Sequence, residues 1–247
     1  MRPFLKLTWT ETKLFFREPI AAFFTLAFPL MMLFIFGSIY GNKPSTFFNG
    51  YGSVDVSVPN YTGMIIGTSG LLSLVITMAN YREKGVLRRL RATPLSPFTV
   101  LAAELVVLFG MTLAGMGLLI VAGKLVYHLR FDGNVLSVLA AFTLSCLSFF
   151  ALGLVLAGLM PNARTAQVVG MVALYPMMFM SGATLPMELL PQSIRNVAQF
   201  LPLTYVVTLL RGLWLGEPWS QHLKEVGILA GIMVVATIVS AKVFRWE

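Results

Sequence analysis

In this chain of 247 residues, 57% are apolar and only 11% charged, with a mean hydropathy of +0.81. That leaves no polar coat for water and excludes an ordinary soluble enzyme or a free nucleic-acid-binding domain. The net charge of +8 therefore matters through where the basic residues lie relative to the apolar stretches.

Residues 1–19 form a basic, aromatic leader. At helical spacing Lys6, Lys13 and Arg17 fall within about 40° of one another, while Phe4, Leu7, Leu14 and Phe15 lie on another side and Trp9 adds an interfacial aromatic. A helix at the membrane surface is predicted, the plainer alternative being a generic basic flank. No small-x-small cleavage pattern follows, so the first apolar stretch reads as retained.

Six stretches reach spanning length: 20–40, 61–81, 99–123, 135–159, 165–185 and 225–244. Residues 203–215 are apolar but too short to cross, which suits a re-entrant or interfacial segment. The predicted fold is all-α: a polytopic integral membrane protein with six transmembrane helices, an N-terminal interfacial helix and outer re-entrant helices at 186–224. It forms a single domain over 1–247. With the N-terminus inside, the inner connections hold twelve Lys and Arg against six outside, which places both termini in the cytoplasm.

Catalytic constellations are missing from the sequence. The segment Gly117 to Lys124 has one residue too many for a phosphate-binding loop and is followed by Leu125 where a magnesium-binding hydroxyl belongs. His128 and His222 lie far apart with no acidic or thiol cluster beside them, so no metal site is expected. The lone cysteine, Cys146, sits in an apolar run and reads as a small buried hydrophobe. Glu104, about five residues into the third stretch, is the clearest ionisable group inside a span. It can reach the inner interface, pair with a basic residue such as Arg91, or relay protons.

The inner loop at 82–98 is the strongest local feature. Leu87, Leu90 and Arg91 share a helical face and Pro94 ends the helix, giving a short charged cytoplasmic helix. It suits either an anchor to anionic lipid or a lever driven by a soluble partner.

The loop's Arg82-Glu83-Lys84-Gly85, Leu87-Arg88 and Thr93-Pro94 resemble the ABC transporter type-2 export permeases. So do Tyr175-Pro176 through Leu185-Pro186, Leu190-Pro191, Phe200-Leu201-Pro202-Leu203-Thr204-Tyr205 and Leu210-Arg211-Gly212. The resemblance covers essentially the whole chain. One departure is Gly85-Val86-Leu87-Arg88, where the family often has Gly-Thr-Leu-Glu.

The resemblance implies a plasma-membrane permease subunit without its own ATPase, paired with two ABC ATPase subunits and a second permease copy or close homologue. ATP and magnesium would sit on the ATPases and no cofactor on this chain. It would export a hydrophobic or amphipathic substrate. Contacts to the ATPases would fall on Arg82, Glu83, Gly85, Leu87, Arg88 and Arg91. The second and fifth spans would line the substrate route through Met64, Thr68, Leu71, Tyr175, Met178 and Phe179. An ATP-independent channel or secondary transporter is the alternative.

Overall fold

The computed structural model describes residues 2–86, 97–187 and 190–243. Every regular element among them is helical. The order is α1 (Arg2–Arg17), α2 (Pro19–Tyr40), α3 (Ser53–Glu83), α4 (Pro97–Tyr127), α5 (Val135–Leu159), α6 (Ala163–Met180), α7 (Gln192–Ala198), α8 (Pro202–Trp214) and α9 (Leu223–Val243). Helices α2, α3, α4, α5 and α9 with its lead-in turn from Trp219 are long and apolar enough to cross a membrane, and the pair α7 and α8, bent by 99°, completes a sixth candidate. This is a polytopic membrane protein, and the bent pair occupies the stretch predicted to be re-entrant.

Two boundaries differ from the sequence reading. The second span begins at Ser53 rather than near Tyr61, although Asp55, Pro59 and Asn60 look like loop residues. The helix survives them because Asp55 and Asn60 are buried, and Asp55 is fully hydrogen-bonded at the helix N-terminus. The predicted fifth span, 165–185, is the 18-residue α6, which rises only about 27 Å. It stops at Met180, where the Ser181 and Thr184 amides turn back onto the carbonyls of Met177 and Met178 and Gly182 takes a φ of 85°.

Helix α3 is the axis of the molecule: 94% of its apolar window is buried, against 17% for α9, 28% for α2 and 33% for α4. Close approach at its glycines explains this. Gly63 lies against Val207 of α8 and Gly67 against Leu174 of α6, and the backbones of α3 and α5 meet at Gly70 and Gly153. A Cβ on Gly153 would fall on the Gly70 carbonyl oxygen, and one on Gly70 would come within 2.7 Å of the Phe149 oxygen. At this crossing α3 makes a π-helical turn, Ser69–Ser73. Being 31 residues long, α3 rises about 46 Å, more than the roughly 30 Å hydrocarbon core, so it has length to carry its end residues clear of lipid.

Helix α1 lies across the C-terminal end of α3 and the N-terminal end of α4. Lys6, Lys13 and Arg17 are exposed as the spacing predicts, and Phe15 is buried, with Phe4 and Leu7 half-buried.

Candidate functional site

At the outer end, helix α3 starts at Gly52, which has no side chain to cap the first amides. Asn42 supplies the missing acceptor: its Oδ1 receives the Val54 and Asp55 amides at 3.0 and 3.2 Å. A Cβ on residue 52 would occupy the position of that oxygen. Asp55, with no exposed surface, accepts from the Gly52 amide at 2.9 Å, the Arg130 amide at 2.8 Å and Asn42 Nδ2 at 2.8 Å. Asn42 Nδ2 also donates to the Tyr127 carbonyl at 3.1 Å. One buried carboxylate and one amide thus tie together the α2–α3 loop, the start of α3 and the α4–α5 loop. Tyr51 donates to the Leu215 carbonyl and Trp214 to that of Arg130, fastening α8 to the same hub. Beside it lies a cavity of about 260 Å³ lined by Phe36, Tyr40, Ser57, Tyr61, Thr184 and Leu185 among others. The Thr184 hydroxyl is buried there without a partner.

Below this cavity the predicted substrate-route residues fall into two groups. Met64, Thr68 and Leu71 are buried inside the bundle, and Met178 of α6 joins Met64 and Leu71 in one apolar cluster. Tyr175 packs on that cluster with its ring 6.3 Å from Phe24, whereas Phe179 is 55% exposed and faces outward. Tyr61 at the floor of the outer cavity is one helical turn above Met64.

At the inner end, the predicted partner-contact residues Arg82 and Glu83 spend their hydrogen bonds within the chain. The Arg82 guanidinium donates to the carbonyls of Ala157 at 3.0 Å, Gly158 at 3.2 Å and Met160, the orphan acceptors at the end of α5. The Glu83 carboxylate accepts the first amide of α6, that of Ala163, at 2.9 Å. Asn162 caps the next free amide, Thr165, at 2.8 Å. Gly85 follows with a φ of 63°, which turns the chain out of α3. Leu87, Arg88 and Arg91 lie outside the described residues.

Beside this clasp, Glu104 is buried but does not stand alone. Its carboxyl meets that of Glu11 on α1 and a Thr77 hydroxyl, and Tyr81 donates to Glu11. Burial holds the Glu11 carboxyl above its ordinary value of 4.5, against the opposing pull of the Tyr81 and Glu104 hydrogen bonds. Burial likewise raises Glu18, partly offset by Lys84. These groups line a cavity of about 350 Å³ between α1, α3 and α4. Among the described residues no group of three or more His, Cys, Asp or Glu could hold a metal ion.

The chain, an amphipathic leader docked on a membrane helix bundle, also resembles known proteins in sequence. The model of the ABC-2 type transporter family covers residues 2–215. The chain belongs to that family. Nodulation protein J of Rhizobium leguminosarum bv. viciae is 33% identical over 134 residues, 54% of this chain and 51% of the relative. That of Neorhizobium galegae is 25% identical over 219 residues, 87% and 82% of the two chains. The probable multidrug ABC transporter permease YbhS of Escherichia coli (strain K12) is 23% identical over 159 residues, 64% of this chain and 42% of the relative. Against the Rhizobium nodulation proteins the chain spans about half of the relative's length.

Proposed function

We propose that this chain is the membrane-spanning subunit of an ATP-driven exporter that moves a hydrophobic or amphipathic molecule out of the cytoplasm or the inner leaflet. It works in the plasma membrane with both termini in the cytoplasm, beside a second permease copy or close homologue and on two separate ABC ATPase subunits, which bind the ATP and magnesium. The observation that carries this reading is the family match from the leader through α8, which takes in both inner features suited to a partner: exposed basic α1 and the 82–98 loop.

The leader offers Lys6, Lys13, Arg17 and Trp9 to the cytoplasmic side while Phe15 and Glu11 hold it to the bundle. Gly85, Leu87, Arg88 and Arg91 are the loop residues left to meet an ATPase once Arg82 and Glu83 are occupied within the chain. A route along Met64, Thr68 and Leu71 requires the packing around α3 to open, because those side chains are enclosed. Phe179 and Tyr175 then form the outward half of the route, opening towards the cavity at Tyr61 and Thr184.

The test is reconstitution with a co-expressed ABC ATPase, using ethidium and an NBD-labelled phospholipid as probes. Movement that needs ATP and stops with a hydrolysis-dead ATPase supports the reading; movement of equal rate without ATP overturns it. The buried Glu11 and Glu104 pair favours one competing reading, a proton-driven secondary transporter. That reading requires probe movement to follow an imposed pH gradient with no ATPase present.

A further inference from the structure

The tight turn between α5 and α6 holds two helix ends of opposite polarity side by side. The last carbonyls of α5 carry partial negative charge and the first amides of α6 partial positive charge. Neighbouring residues of α3 answer each with the matching sign: the Arg82 fork spans three carbonyls, and the Glu83 carboxylate takes the Ala163 amide. Both lie in the last turn of α3, immediately before the loop at 84–96. Asn162 completes the α6 cap from within the turn, so the helix ends at this corner are satisfied partly locally and partly from α3.

From this geometry we infer that Arg82 and Glu83 are positioning residues that lock the inner loop to the α5–α6 turn, so that a push on the loop moves α5 and α6 with α3. The guanidinium is planar with five donors, which lets a single side chain hold three carbonyls in register. The clasp adds a directional polar connection to the apolar packing above it, where Gly67 lies against Leu174 and Gly170 against the Leu71 backbone. The inference rests on the proposed ATP-driven function for its consequence in transport, but the mechanical tie itself does not.

Two measurements separate these. In the full chain with Cys146→Ser, nitroxide labels at Val86→Cys and Leu159→Cys report the distance between loop and turn by pulsed electron resonance in nanodiscs. The clasp predicts a single narrow distribution that broadens in Arg82→Gln/Glu83→Gln and also in Arg82→Lys, which keeps the charge but loses the fork. Identical distributions in all three overturn it.

In the assembled complex, the double variant is expected to retain ATP hydrolysis while movement of ethidium per ATP falls about tenfold. A parallel fall in hydrolysis and movement overturns the role in transmission. If the intact complex moves no probe with ATP, the proposed function fails while the label measurement still decides the clasp.

Discussion

The two ends of α3 are held by opposite strategies. Outside, Asp55 has no contact with solvent and every group around it is spoken for, so the knot at Asn42, Gly52 and Arg130 opens only by leaving donors unpaired in the protein interior. Inside, Arg82 is half-buried and Glu83 is exposed, so water stands ready to replace each bond as it breaks. The knot at Asp55 therefore costs more to open than the clasp at Arg82 and Glu83, although both fix a geometry.

The contrast is broken most directly at the outer knot. Asp55→Ala leaves three donors unsatisfied and is expected to destabilise the fold by about 3 kcal/mol or more. Denaturation by SDS in mixed micelles reads this, and a change below about 1 kcal/mol would mean that the knot is not an anchor. The crossing between the ends comes next: Gly153→Ala drives a methyl into the Gly70 carbonyl, with an expected loss of about 1–3 kcal/mol in the same titration. At the inner end Arg82→Gln should cost about 1 kcal/mol or less in stability, because its groups can hydrate. A loss equal to that of Asp55→Ala would erase the distinction between the two ends.

The smallest effect is a dependence on pH. Burial raises Glu11 and Glu18 above 4.5, so docked α1 binds more protons than released α1 in the interval up to their raised values. Docking is then strongest below 4.5 and weakens as pH rises through those values. Tyr81 and Glu104 face Glu11, and Lys84 lies near Glu18. A nitroxide at Leu14→Cys, again with Cys146→Ser, should become less mobile as pH falls through those raised values. Glu11→Gln, neutral at every pH, should flatten most of that change; an unaltered profile would assign it elsewhere.

Much of the fold was legible because apolar runs and caps are local signals. The α5 limits, 135–159, follow from an unbroken apolar run and from Asn134, whose side chain accepts the Leu136 and Ser137 amides. The start of α3 was not legible, since Asp55 and Pro59 look like loop chemistry until Asn42 and the Arg130 amide are folded around them. An acid three residues after Gly52 was the available clue.

At the inner end, Glu104 was visible as a charge inside a span, but its partner Glu11 lies on a different element far away in sequence, and the anticipated Arg91 lies outside the described residues. Arg82 and Glu83 were legible as a motif, but their bonds to the α5–α6 turn were not. Helical spacing says which face a side chain occupies, not that a turn from 157 to 163 lies beneath it.

The unequal enclosure of the helices determines where the bilayer can act. A change in membrane thickness works on surfaces that lipid or a neighbouring subunit can touch, chiefly α9, α2 and α4. Helix α3 is shielded along nearly its whole apolar length and feels such a change only through its neighbours. Thinning or thickening the bilayer should therefore tilt the outer ring of helices around a central post whose own tilt is set by protein packing.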